Sequence, residues 1–146
     1  MFRGASQISL DTKFRLAVPT RHRDALLEDS TGLMLAAHPH GCLMLYPKQA
    51  WLPIEAKLNS LSSFDEVSGK LQRLIVGQAE PLDIDNAGRL QLPPVLRAYA
   101  KLEKEIMFVG QGSHFELWNL DEWNAQIESL MNNKFEMPAE LQGFSL

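Results

Sequence analysis

Apolar and polar residues alternate from Ile8 to Val18, interrupted by Asp11-Thr12-Lys13-Phe14-Arg15. A period of two on both sides of a polar turn predicts a half-buried hairpin. Pro19 stops the returning strand, and Thr20 is placed to cap a short helix through Glu28. Residues 32–38 and 42–46 predict two further strands, joined by Pro39-His40-Gly41. Pro47 opens a helix that Pro53 is expected to kink or restart, and Ile54, Leu58 and Leu61 keep helical spacing beyond it. After a loop at residues 60–63, Val67, Leu71, Leu74 and Ile75 form the apolar stripe of a second helix.

The same order then returns. Residues 82–85 and 89–92 flank Asp85-Asn86-Ala87-Gly88-Arg89, and Pro93-Pro94 opens a helix through about Lys101. Residues 105–110 and 114–119 make the next hairpin, bending at Gly110 and Gly112. Asp121 suits the N-terminus of a last helix with Trp123, Ile127, Leu130 and Met131 on its apolar face. Residues 132–146 have weaker periodicity and read as a loose tail. The frame Asp-x-x-x-Arg thus occurs twice, 74 residues apart, followed by Leu16-Ala17-Val18-Pro19 and by Leu90-Gln91-Leu92-Pro93. Trp51 and Trp123 repeat at a spacing of 72. The chain reads as one module used twice: a first module at 1–52, a helical spacer at 53–79, a second module at 80–124, and a helix end and tail at 125–146.

A length of 146 residues, 45% of them hydrophobic, supports two half-length units sharing a core. The single cysteine, Cys42, excludes an internal disulfide and a Cys-based zinc cluster, and its apolar neighbours mark it as a small buried hydrophobe. His38 and His40 sit in a turn without a further ligand nearby and read as loop histidines; no metal or cofactor is expected. No leader pattern opens the chain, and no apolar run approaches the roughly 20 residues of a membrane span, so a cytosolic protein without a membrane partner is expected. Enzyme chemistry is not indicated: nucleophile elbow, phosphate-binding loop and metal cluster are missing from the sequence, and Asp83 and Asp85 fall on opposite strand faces or at the turn. No small-molecule substrate is expected.

Net charge is −4, which argues against a generally basic nucleic-acid binder, but the charge is uneven. Residues 1–26 hold five basic side chains against two acidic, a net of +3, and residues 116–146 hold one against six, a net of −5. That asymmetry fits a basic face for an anionic partner and an acidic end turned away, and equally fits ordinary solvated charge. Within each turn the Asp can accept backbone N–H groups, and the Arg four positions on begins the returning strand. Gly88 permits a positive φ at the second tip; Phe14 holds that place in the first, where a positive φ is costly.

The opening Met1-Phe2-Arg3-Gly4, the two Asp-x-x-x-Arg copies, Gln72-Arg73-Leu74 and Phe115-Glu116-Leu117-Trp118 resemble the MraZ family of bacterial transcriptional regulators over nearly the whole chain. The resemblance implies an α+β fold of two pseudo-symmetric, AbrB-like swapped-hairpin β-barrel halves with peripheral helices. It also implies a homo-oligomeric ring. The implied partner is double-stranded promoter DNA, at short direct repeats upstream of the division and cell-wall gene cluster that includes the family's own gene, in a cytoplasmic, nucleoid-associated protein. Carried over by position, the motif residues are Asp11, Lys13 and Arg15, then Asp85 and Arg89, with Asp11, Asp85 and Gly88 in structural roles. The family's first motif usually reads Asp-x-Lys-Gly-Arg, from which Phe14 departs; Ala87 in the second copy lacks the lysine that Lys13 supplies. The first copy is therefore expected to carry more of the binding. An Arg there suits either phosphate or a guanine edge, and a β-ribbon is slim enough to enter a major groove. Arg3 is a candidate phosphate contact, and Arg21 and Arg23 read as solvated residues on the short helix. The competing reading is an oligomeric scaffold that binds protein partners, its Asp-Arg turns purely structural; the salt slope of DNA affinity separates the two.

Overall fold

Strands form on both sides of each turn, but the two strands flanking a turn do not pair with one another. The structure, a computed structural model, describes residues 1–28, 31–133 and 136–145. The first half contains β1 (Ala5–Ser9), β2 (Arg15–Ala17), α1 (Thr20–Leu27), β3 (Leu33–Ala37), β4 (Leu43–Pro47), α2 (Lys48–Asn59) and α3 (Glu66–Ile75). The second contains β5 (Glu80–Leu82), β6 (Arg89–Gln91), α4 (Pro94–Tyr99), β7 (Glu105–Gly110), β8 (Phe115–Asn119) and α5 (Leu120–Asn132), with a 3₁₀ turn at Ala139–Leu141. The fold is α+β.

The halves exchange strands. β1 runs antiparallel to β7 of the second half, Ala5 opposite Val109 and Ser9 opposite Glu105. In the same way β5 pairs with β3 of the first half, Leu33 opposite Leu82. The returning strands β2 and β6 pair with each other, Leu16 directly opposite Leu90. The hairpin expected over residues 8–18 is therefore opened: the Asp11 N–H donates to the Arg15 carbonyl, and beyond that bond the arms part into different sheets. The reason is burial. Leu10, Leu16 and Val18 are all enclosed, and partners from the other copy cover them better than a two-stranded ribbon could cover itself. Among the described residues the ladders form an open six-stranded sheet, β1-β7-β8-β4-β3-β5, and a separate β2-β6 ribbon, without a closed barrel.

Strict alternation on the central strands sorts their side chains onto two buried faces. Leu33, Leu35, Leu43, Leu45, Ile106, Phe108, Phe115 and Leu117 join Leu16, Leu26, Leu90 and Leu96 in one core to which both halves contribute. On the opposite face, Ala36, Met44 and Tyr46 lie under Trp51 of α2 and Ile75 of α3, while Val109 and Trp118 pack with Cys42 and Trp123 of α5. Glu116 is the buried charged side chain on that face; Trp118 Nε1 donates to it at 3.0 Å, and Nε2 of His38 and of His114 lie 4.0 and 3.8 Å away. His38 is thus more than a loop histidine. Burial pushes the Cys42 thiol well above its ordinary range, as suits a packing residue.

Several local expectations are corrected. Thr20 is the first residue of α1, with Pro19 at the cap position and no side-chain capping bond. Pro53 does not break α2, which is continuous from Lys48 to Asn59; it lies early in the helix, where the missing N–H removes one bond. Leu71, Leu74 and Ile75 of α3 pack inward, but Val67 points outward at 66% exposure. On α5, Trp123 packs against the sheet, while Leu130 and Met131 are exposed. Of the expected tail, residues 134, 135 and 146 lie outside the described residues, and residues 139–141 make the 3₁₀ turn. No helix among the described residues is long and apolar enough to cross a membrane.

Because each half completes the other's sheet, neither residues 1–74 nor residues 75–144 alone should yield a folded monomer. Each half should gain cooperative structure only as a dimer or on mixing with its counterpart. Circular dichroism melts with sedimentation on the separate halves check this; a folded monomeric half would contradict it.

Candidate nucleic-acid interface

Both turns are built from the same bonds. In the first, Asp11 Oδ1 accepts from the backbone N–H of Lys13 and of Arg15, each at 2.9 Å, and Oδ2 accepts from Arg15 Nε at 2.6 Å. In the second, Asp85 Oδ1 accepts from the N–H of Ala87 and of Arg89, again at 2.9 Å, and Oδ2 from Arg89 Nε at 2.9 Å. The N–H of Phe14 and of Gly88 donate back to the Asp carbonyls, at 2.9 and 3.0 Å. Ala87 stands in for Lys13 without loss because only its backbone is used. These bonds explain the frame: an Asp carboxylate reaches the N–H groups two and four positions on, and the Arg side chain at the fourth returns to it.

Each Arg is held through Nε, and its two terminal nitrogens have no partner among the described residues. A guanidinium anchored at one edge offers the two Nη groups to a bidentate acceptor such as guanine O6 and N7, or to phosphate. The pairs are half-exposed, so their contribution to stability is small; their effect is orientation. The Arg15 N–H first, then the Arg15 side chain and the Lys13 N–H, hold the Asp11 carboxyl below the ordinary aspartate range against desolvation. For Asp85 the Arg89 N–H leads, followed by the Ala87 N–H and the Arg89 side chain.

Tertiary pairing brings the two turns to the opposite ends of one short antiparallel ribbon. In the β2-β6 ribbon Arg15 lies opposite Gln91 and Ala17 opposite Arg89, while Leu16 and Leu90 are buried beneath. Directly opposite residues share a face, so Arg15, Arg89, Gln91 and Ala17 make up the outward one. Arg15 and Arg89 sit diagonally, about 7–8 Å apart at Cα. Each turn is also tied to the other copy: the Phe14 carbonyl accepts from the Leu92 N–H at 3.4 Å and the Gly88 carbonyl from the Val18 N–H at 2.9 Å. Gln91 Nε2 adds a bond to the Lys13 carbonyl at 2.9 Å.

Phe14 does adopt the left-handed conformation that the turn requires, at φ 57°, matching Gly88 at 76°. That conformation costs a non-glycine residue about 1–2 kcal/mol. Arg97 of α4 offsets part of it, its guanidinium carbon lying 3.6 Å from the Phe14 ring centroid. Arg23 holds the corresponding position over the second turn: a Cβ on Gly88 would collide with its guanidinium, and its Nε donates to the Val18 carbonyl at 2.7 Å. Arg23 is therefore a brace rather than a freely solvated side chain, and Arg21 is bonded to Ser6 Oγ at 2.7 Å.

Of the residues singled out from sequence, Asp11, Lys13, Arg15, Asp85, Gly88 and Arg89 come together around the ribbon. Arg3 does not: Gly4 bonds to Gly110 at one end of β7, and Leu10 to Lys104 at the other. The eight residues from Arg3 to Asp11 span on the order of 25 Å of extended strand. Nothing local marks Gln91 and Arg97, and Arg23 reads from sequence as a solvated residue, although the 74-residue spacing that aligns the turns also aligns Arg23 with Arg97.

Two copies that interlock through exchanged strands, and that present both turns on a single cationic ribbon, define a duplicated α+β protein whose functional unit is the whole chain. The family described as "MraZ protein, putative antitoxin-like" matches residues 1–74 and again 75–144. The chain belongs to the MraZ family. It is 57% identical to the transcriptional regulator MraZ of Methylobacillus flagellatus, over the full length of both chains. It is 51% identical to the protein of that name from Nitrosospira multiformis and 49% to that from Thiobacillus denitrificans, again over the full length of each. The name these relatives carry is a regulator's and not an enzyme's.

Lowered carboxyl values carry a pH signature. The stabilisation from Asp11 and Asp85 is fully present above the ordinary aspartate value of 3.8 and is lost only as pH falls through the lower folded values. Carboxyl-carbon NMR titration should place both groups below 3.8, and Arg15→Ala should move Asp11 back up. An Asp11 that titrates at its ordinary value in the parent would dissolve the clamp.

Proposed function

We propose that the chain is a sequence-specific, DNA-binding transcriptional regulator. It reads short direct repeats in double-stranded promoter DNA upstream of the division and cell-wall gene cluster, including its own gene. The carrying observation is the ribbon: Arg15 and Arg89 emerge on one face, each anchored by Nε to its own aspartate. A two-stranded ribbon fits the major groove, and guanidiniums with unoccupied Nη groups suit guanine edges. Lys13, with no side-chain partner among the described residues, serves as a phosphate contact, and Arg3 as an outlying one. The names of the relatives support the regulatory role. Residues 1–52 and 80–124 act as the two reading modules, 53–79 as the helical spacer and 125–146 as the outlying helix end and tail. The protein works in the cytoplasm on the nucleoid, without cofactor, metal or small-molecule substrate.

The reading includes assembly into a ring, with each unit contributing a swapped-hairpin, barrel-like pair of halves. Phe64 is fully exposed and Val67 about two-thirds exposed at the corner between α2 and α3, an apolar feature that supports an assembled state. The same corner favours the second reading, an oligomeric scaffold for protein partners. A closed ring satisfies repeated surfaces without forming filaments and presents several ribbons to tandem sites.

Arg15→Ala should remain folded, lose about 1–3 kcal/mol of promoter binding per engaged contact, and relax preference at the base it reads. Lys13→Ala should weaken all duplexes alike and shallow the salt slope. Arg89→Ala should do less to DNA binding than Arg15→Ala, since Ala87 supplies no charge beside it. Titrations at several salt concentrations check these outcomes, and a folded Arg15→Ala that binds like the parent would favour the scaffold. Duplexes with several correctly spaced repeats should bind far more tightly than a single repeat, and light scattering should show several subunits. A micromolar monomer, or equal affinity for both duplexes, would reject the ring.

A further inference from the structure

The two turns match bond for bond, so the positions where they differ are informative. At the second tip Gly88 has no side chain, and Arg23 fills the space above it with Nε committed to the Val18 carbonyl. At the first tip the space is occupied by the Phe14 ring, 38% exposed, and the guanidinium carbon of the matching Arg97 lies over that ring, 3.6 Å from its centroid. Among the described residues the Arg97 guanidinium makes no hydrogen bond or ion pair. Phe14 lies between Lys13 and Arg15, so Arg97 adds a third cation at the first tip, brought from a helix of the other copy.

An aromatic ring under a guanidinium removes water from one face and fixes its plane without consuming any of its N–H donors. A carbonyl acceptor, as Arg23 has, consumes one. We propose that Arg97 is a DNA-backbone contact of the first turn, positioned by the Phe14 ring, and that its ligand is a phosphate flanking the bases read by Arg15. The inference rests on the DNA-binding reading above and adds a residue and a role to it. It assigns Phe14 a purpose: in place of a glycine, the ring holds a guanidinium with its N–H donors uncommitted, whereas Arg23 at the second turn has its Nε donated to the Val18 carbonyl. Arg97 and Arg23 match in charge, so the first turn is the more cationic of the two through Lys13, which has Ala87 as its counterpart.

The test is the salt dependence of binding to a duplex spanning the direct repeats upstream of the chain's own gene, with circular dichroism melts to confirm folding. Arg97→Gln should shallow the log–log salt slope by about 0.9 for each subunit engaged, and weaken specific and unrelated duplexes by similar factors. Arg97→Lys, which keeps the charge but not the planar stack, should retain more than half of that slope. In a Phe14→Gly background, where the seat is gone, Arg97→Gln should have less than half its effect. If Arg97→Gln fails to fold, Arg97→Met keeps an unbranched stem over the ring and removes the charge, and the same slope change is expected. A folded neutral variant with the parent's slope overturns the proposal. An equal effect of Arg97→Gln with and without Phe14 overturns the positioning role. A loss of binding in Arg15→Ala alongside an unchanged Arg97→Gln leaves the DNA reading intact and sinks this inference alone, whereas a parent that binds the duplex with no salt slope sinks the reading itself.

Discussion

The exchange of β1 and β5 between the two copies is the constraint on which the rest of the structure depends. Once β1 is committed to β7 and β5 to β3, residues 11–15 and 85–89 must carry the chain out of the large sheet and into a second one. The returning strands then have only each other to pair with, and the pair can close only where both can bury a leucine, at Leu16 and Leu90. The cationic ribbon is thus a consequence of how the two halves close their common core. Its burial on one face is also what keeps a ribbon of three residues a side in place, since an isolated one would be marginal in water.

On that scaffold the aspartates do a limited job. An exposed Asp-Arg pair adds little to stability, but three acceptor contacts to backbone N–H and Arg Nε leave few conformations open to the guanidinium. Ordering the arginine in the free protein lowers the entropy lost when it meets a partner. The price of the arrangement appears at the tips, where the backbone must turn left-handed. Gly88 does so without strain, and Phe14 does so with a guanidinium stacked on it.

Helices α2, α3 and α5 serve a different surface. They cover the face of the sheet turned away from the shared core, each over its own half, with Trp51 and Trp123 at corresponding positions. Between them Glu116 is buried with Trp118, His114 and His38 as neighbours, a polar patch at the seam between two apolar clusters. Burial opposes the ionised carboxylate, while the nearby His114, the Trp118 hydrogen bond and His38 hold Glu116 below the ordinary glutamate range.

Sequence by itself determined the duplication, the positions of the strands, the two clamped turns and part of the apolar faces of the helices, with Val67, Leu130 and Met131 left exposed. Each rests on a local rule: a period of two, a period of three to four, or an aspartate bonded within five residues. It could not determine which strands pair. Ser9 meets Glu105 and Gln91 meets Lys13 across 96 and 78 residues, and the alternation of β1 would suit its own turn partner as well as β7. Only the closing of one core around both halves decided between them, because that arrangement alone buries Leu10, Leu16, Leu90 and Leu92 together. The common face of Arg15 and Arg89, and the placing of Arg23 and Arg97 over the opposite copy's turn, followed from that closure. They were invisible beforehand because the contacts they make join residues that no local pattern connects.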